Sequence, residues 1–409
     1  MAARLVHATA RRYDRNASMN GISRCATPLL AVVLVGGCAS QQVAPAPSAP
    51  VATAPSTPAP SSPPTPAPGS PPVSPASPPP APSTSGALER GRALLAAGDA
   101  VAAAVVLREA VRAQPDLADA RASLGLALYL MGDLDGAVDE LRGLLRVRPD
   151  VNDARLTLAA AMVARQDWPA ARAELERALA AQPELPQANY TLGVVRYAQG
   201  DLNGAIEAYR RVLVLEPRAH DARYNLALLL KLARRDAEAT PEFLAAAEAG
   251  LPRAQYFAGA AYATGAGVDR DLVSAITWWT RAAEQGVTQA DEGLAQLRQV
   301  ASGRSRRGPA ERQAVEQAFG EYRARLWTGY PGLAREGDEP LGVALLRQGR
   351  GVEAVPVLIR EAAALSEPAL RTLETLYDQG VDGQLPAHDA RIHAYLKTAA
   401  AEGRSRLRP

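Results

Sequence analysis

The stretch ADARASLGLALYLMGDLDGAVDELRGLLRVRP, Ala118–Pro149, decides the fold. Two helix-forming runs rich in Ala, Leu and Arg flank a Gly132-Asp133 turn, and a proline closes the second run. The same text recurs. Pro115, Pro149, Pro183 and Pro217 are 34 residues apart. Working back from each proline, Gly91, Gly125, Ala159, Gly193 and Ala227 fall on the same step, as do Ala103, Ala137, Ala171, Ala205 and Ala239. A large residue keeps the step at Leu107, Leu141, Leu175, Tyr209 and Phe243, and Gly-Asp turns return at Gly98-Asp99 and Gly200-Asp201. Small residues let two helices approach closely, the large one fills the space beside them, and proline ends the second helix.

This register resembles the tetratricopeptide repeat (TPR), two antiparallel helices per 34 residues. Leu124, Leu158, Leu192 and Leu226 complete the resemblance, with Arg90 in place of leucine in the first copy. After residue 245 the pattern lengthens. Ala246–Gly250 (AAEAG) returns as Ala282–Gly286 (AAEQG) 36 residues later, around Tyr262, Gly265, Gly267, Asp271, Ala275, Trp278 and Trp279. That resembles the Sel-like repeat. Tyr377, Gly380-Val381 and Tyr395–Ala400 form a degenerate second copy, preceded by Gly342, Gly349, Ala354 and Leu358 at TPR spacing; Pro356 predicts a kink there. Residues 298–340 fit neither repeat and read as an arginine-bearing loop (Arg304, Arg306, Arg307) and one helix from Glu311 to Trp327, either capping the first array or hinging it to the second.

The expected architecture is all-α, an α-solenoid after a Pro-rich tether. Its parts are a leader at 1–37, a linker at 38–86, five TPRs at 87–251, a Sel-like repeat at 252–297, the insert at 298–340, and degenerate repeats at 341–409.

Of the 33 prolines, 17 lie between Pro45 and Pro82, without a charged residue among them. Such a segment has nothing to bury and favours extended polyproline II, at ~3.1 Å per residue up to ~140 Å over its length. Ahead of it, Cys25–Val35 is a short apolar run between Arg24 and Gly36-Gly37, the layout of a secretory signal. A start at Met19 would give that signal a conventional length. Val35-Gly36-Gly37-Cys38 resembles a bacterial lipobox, which implies cleavage before Cys38, acylation of that cysteine and a membrane anchor. Ala39 and Ser40 after it, with no Asp, imply the outer membrane, the body facing the periplasm. Residues 1–37 hold five Arg and one Asp, so the net charge passes from +2 to −2 once they are removed.

Composition excludes several chemistries. Both cysteines precede residue 40 and there are four histidines, so no cofactor or metal site is expected. His388 and His393 are five apart and read as surface residues. No GxSxG, HExxH or Walker motif is present, and no catalytic residue is assigned. The near-neutral charge speaks against nucleic acid. Gly265-Ala266-Gly267 reads as a tight turn, Trp278 and Trp279 as core, and the tail from Arg404 as a frayed basic terminus. No small-molecule substrate is expected.

The TPR resemblance implies a protein-binding groove lined by the first helix of each pair. Transferred by register, it presents Asp119, Tyr129, Asp153, Tyr190, Tyr197, Tyr224 and Lys231, with Asn225 alongside. The Lys/Asn clamp of some TPR co-chaperones is replaced by Leu88 and Arg92. The expected role is a lipid-anchored scaffold for an envelope assembly or export complex, as in lipoproteins that serve secretin assembly or alginate export. Two other classes compete: a chaperone-like module for secreted clients, and an activity on peptidoglycan that would need a perturbed carboxylate in 298–409.

Overall fold

The computed structural model describes residues 84–405 apart from 382. The leader, Cys38, the Pro-rich segment and the end of the tail lie outside the described residues. Among the described residues there are eighteen helices; the only extended pairing is a single bridge between Val381 and Leu385. The fold class is all-α. Two compact units divide at Leu215 and Glu216.

The first unit holds four helix pairs: α1 (Thr84–Ala96) with α2 (Ala100–Ala113), α3 (Ala118–Met131) with α4 (Leu134–Val147), α5 (Asn152–Ala164) with α6 (Trp168–Ala181), and α7 (Pro186–Ala198) with α8 (Leu202–Leu215). The turn inside each pair combines two local devices. A left-handed residue ends the first helix, and an aspartate caps the second. Gly98, Gly132 and Gly200 take φ of 81°, 88° and 82°, where glycine meets no steric cost. Asp99, Asp133 and Asp201 then accept from Ala102 N (2.9 Å), Gly136 N (3.1 Å) and Gly204 N (2.9 Å). The third turn keeps its cap, Asp167 accepting from Ala170 N, but places Gln166 at φ 63°.

The small-against-large rule appears directly in the packing. A Cβ added to Gly125 would stand 2.5 Å from Leu141, and one added to Gly91 would stand 2.5 Å from Leu107. Only glycine lets those helices close to this distance. Leu107 and Leu141 are fully buried and Leu175 nearly so, each burial worth about 2 kcal/mol relative to exposure.

The second unit begins with α9 (His220–Leu232) and α10 (Asp236–Glu248), then α11 (Pro252–Thr264) and α12 (Leu272–Glu284). The Gly265-Ala266-Gly267 turn is fastened to α10: Thr240 Oγ1 donates to Ala266 O at 2.8 Å, and a Cβ on Gly267 (φ 71°) would lie 2.3 Å from Asp236 O. Asp271 caps α12 through Val273 N and Ser274 N. Trp279 is buried against Gly259 and donates from Nε1 to Tyr256 O at 3.1 Å. Trp278 is half-buried and lies under the Arg281 guanidinium.

Next come α13 (Thr288–Ala301) and α14 (Pro309–Thr328), so helix continues past residue 298, where the sequence reading begins its insert. Helix α14 buries Val315, Phe319 and Tyr322 against the α12–α13 side, while its Leu326 and Trp327 pack on the cluster around Leu341, Leu358 and Leu373. The insert is thus a joint inside this unit. The last helices are α15 (Leu341–Arg347), α16 (Gly351–Ala363), α17 (Glu367–Gln379) and α18 (Ala390–Ala401). Pro356 lies within α16, where the carbonyl left without its helical donor belongs to Val352, itself exposed to water.

At Arg404 the start of the tail departs from the sequence reading; residues 406–409 lie outside the described residues. Arg404 is held, not frayed: it donates to Ala362 O (3.1 Å) and Tyr395 Oη (3.2 Å) and pairs with Glu402. Glu402 also takes the guanidinium of buried Arg298, whose Nε lies at 3.0 Å. Sequence patterning missed this because the partners are 104 residues apart.

Candidate functional site: the face of the first helices

In the first unit, α3 turns Ala120, Leu124, Ala127 and Leu128 inward, and α5 turns in Ala154, Leu158, Ala161 and Met162. Helical period then turns Asp119, Leu126, Tyr129 and Leu130 away from those residues on α3, and Asp153, Leu156 and Val163 on α5, with Tyr129, Leu156 and Val163 still partly buried against the core. On α7 the corresponding positions carry Tyr190 and Tyr197, with Val194 between them buried. Successive first helices touch one another, α1 with α3, α3 with α5 and α5 with α7, so these residues share one continuous face.

The candidates named from sequence meet different fates. Asp119 and Asp153 are exposed, and Asp119 is in an ion pair with Arg92 at 3.1 Å. Tyr129, Tyr190 and Tyr197 are half-buried, their rings partly open to a partner. Tyr190 stands edge-on to Tyr209, with ring centroids 5.3 Å apart, which fixes its orientation.

Two candidates of the second unit are corrected. Tyr224 is 7% exposed and Asn225 5%, so both belong to the interior. Tyr224 packs on Phe243 and Phe257 with centroids 6.0 and 6.2 Å away. Its hydroxyl is buried without a hydrogen bond, and burial pushes its pKa up to about 12, a rise that the Arg253 guanidinium partly offsets. Lys231 is exposed and pairs with Asp236 at 3.3 Å. In the first unit the transferred positions leave Asp119 and Asp153 exposed and the three tyrosines half-buried. The transferred register fails at Tyr224 because large aromatic neighbours close over that position.

The sequence reading passed over Leu126, Leu130, Leu156 and Val163. These apolar residues occupy the same face as the tyrosines, and the signal was available in the register that selected them. Leu130 is 54% exposed. The face is therefore apolar, with tyrosine hydroxyls and two acidic residues around it. At the position of the co-chaperone clamp, Leu88 is buried and Arg92 is engaged by Asp119.

The perturbed carboxylate that a peptidoglycan activity would need is present in Glu361, and its role is structural. Burial raises its carboxyl above the ordinary range; its two oxygens accept from Leu341 N (2.7 Å) and Gly342 N (3.0 Å), capping α15 from α16, the helix that follows it.

Comparison with known proteins agrees with this architecture. Residues 94–152 and 128–192 match the tetratricopeptide repeat family, residues 195–232 match a TPR repeat, and residues 252–287 match the Sel1 repeat. The chain is a TPR and Sel1-repeat protein, and such repeats make it a protein–protein interaction scaffold. Among solved structures it is similar to Pseudomonas aeruginosa PilF, at 20% identity over 52% of this chain and 97% of that one, with a TM-score of 0.46. It is also similar to MamA from Desulfovibrio magneticus RS-1, at 23% identity over 40% of this chain and 93% of that one, with a TM-score of 0.39. No protein with a curated description matches the chain.

Proposed function

We propose that this protein is a lipid-anchored scaffold of a bacterial envelope, which grips a protein partner on the face of its first helices. The observation that carries the reading is that face: Leu126, Leu130, Leu156 and Val163 set beside Tyr129, Tyr190 and Tyr197. Tyrosine offers a large apolar area and a hydrogen-bonding tip at low entropic cost, a composition that suits protein contact. The anchor rests on Val35-Gly36-Gly37-Cys38 and the spacer on the Pro-rich segment that follows. An outer-membrane address, with the helical body in the periplasm, rests on Ala39 and Ser40 after that cysteine. The assembly served is an export or secretin-type complex of that envelope.

Two variants test the two halves separately. Cys38→Ala is expected to abolish incorporation of an alkyne-palmitate label and to release the protein from membranes. Tyr129→Ala/Tyr190→Ala/Tyr197→Ala should keep the label and lose the stoichiometric crosslinked complex seen with the native chain. A native chain that takes no label ends the anchor reading. A crosslinking pattern of many weak partners, indifferent to the tyrosines, favours transient client holding instead.

A further inference from the structure

The opposite side of the first unit carries a second feature. Between α4 and α6 lies a groove of about 670 Å³, walled by Arg142 and Arg146 on one helix and Arg177 on the other, with Leu145 among its lining. Arg155 and Glu174 line its base in an ion pair of 2.7 Å, and Arg177 also reaches Glu174. Asp139 is the other carboxylate there, so four arginines face two acids. Among the described residues neither Arg142 nor Arg146 has an ion-pair or hydrogen-bond partner.

The repeat supplies its own control. A smaller groove of about 410 Å³ lies one period further on, and seven of its nine lining positions are those of the first groove advanced by 34 residues, with Arg196 and Glu207 in addition. There Glu176 replaces Arg142, Ala180 replaces Arg146, Asn189 replaces Arg155 and Ala208 replaces Glu174, while Arg211 keeps the place of Arg177. That second groove holds Arg196 and Arg211 against Glu176 and Glu207, with no excess of either sign. One backbone geometry thus occurs twice, once cationic and once balanced. The TPR pattern does not require the charge, because the next copy folds without it.

From the unpaired arginines and the apolar side chain between them, we infer that the α4–α6 groove binds an acidic segment of a protein partner, one that presents carboxylates to Arg142 and Arg146 around an apolar residue resting on Leu145. Guanidinium forks match carboxylates bidentately, and a walled groove strengthens the pairing relative to open water. The site's free arginines lie on a second helix, α4, and none of its lining residues is one of the tyrosines.

The test is a random dodecapeptide library selected on the full chain and on Arg142→Glu/Arg146→Ala, which introduces the residues that the next repeat carries at those two positions, Glu176 and Ala180. Peptides enriched on the native chain alone should be rich in Asp and Glu with an apolar residue among them. The consensus peptide should bind about tenfold more weakly to the double variant by fluorescence anisotropy. Its binding should be unaffected by Arg211→Ala in the balanced groove, with circular dichroism confirming equal helicity. No acidic enrichment on the native chain, or the same enrichment on the double variant, overturns the inference. So does binding of phosphatidylglycerol vesicles through Arg142 and Arg146 with no peptide preference, which would make the groove a lipid contact.

Discussion

Arg155 Nη1 lies 2.7 Å from Glu174 Oε2, while its Nη2 donates at 2.6 Å to the carbonyl of Pro149, the proline that closes the preceding repeat. One guanidinium therefore ties a first helix both to its own second helix and to the turn before it. Arg223 repeats the arrangement with Glu242 (2.6 Å) and Pro217 O (2.8 Å), and Arg121 keeps the proline half through Pro115 O (2.7 Å). The copy between them carries Asn189 and Ala208, losing both charges together.

That pairing predicts a non-additive outcome. Arg155→Ala leaves the enclosed Glu174 without its main partner and should cost about 3 kcal/mol in urea unfolding. Arg155→Asn/Glu174→Ala, the combination of the next repeat, should recover most of the loss. A double variant no more stable than Arg155→Ala would refute the coupling.

Gln166 holds the left-handed position that Gly98, Gly132 and Gly200 occupy in the other turns. A side chain there is strained, so Gln166→Gly should raise stability by about 1 kcal/mol, read as a higher unfolding midpoint at unchanged urea slope. A lower midpoint would mean that the Gln166 side chain offsets its backbone strain.

The enclosed hydroxyl of Tyr224 makes no hydrogen bond. Tyr224→Phe should therefore be neutral or stabilising by up to about 1 kcal/mol. The raised pKa sets the sign at high pH: the unfolded chain loses this proton near the ordinary value of 10.0, the folded chain only near 12. Stability should fall between those values, and Tyr224→Phe should remove that part of the fall. Absorbance at the tyrosinate band should lose one tyrosine's share of the phase near pH 12 in the variant.

Acid should act on the far end of the second unit. Burial alone would raise the Glu402 carboxyl, but hydrogen bonds and charge from Arg298 and Arg404 hold it below its ordinary 4.5. Its stabilisation is present above that value and is lost as pH falls through the lower folded one. Glu402→Gln should cost about 2 kcal/mol at neutral pH, with a gap to the native chain that closes in acid. A gap independent of pH would assign the effect to shape, not charge.

The sequence by itself determined the repeat. Helix propensity, the Gly-Asp turn and the small-against-large alternation are local properties, and they recur at 34 residues whatever lies elsewhere in the chain. They sufficed for the all-α class and for the closeness of Gly125 to Leu141. Only the tertiary structure decided what depends on neighbours distant in the chain. Phe243 and Phe257 close over Tyr224, Glu361 caps a helix twenty residues before it, and Arg298 reaches Glu402 across 104 residues. The unequal charge of two equivalent grooves likewise emerges only when adjacent second helices are set side by side. Period and propensity act along the chain, whereas burial and ion pairing act across space, and only folding brings those partners together.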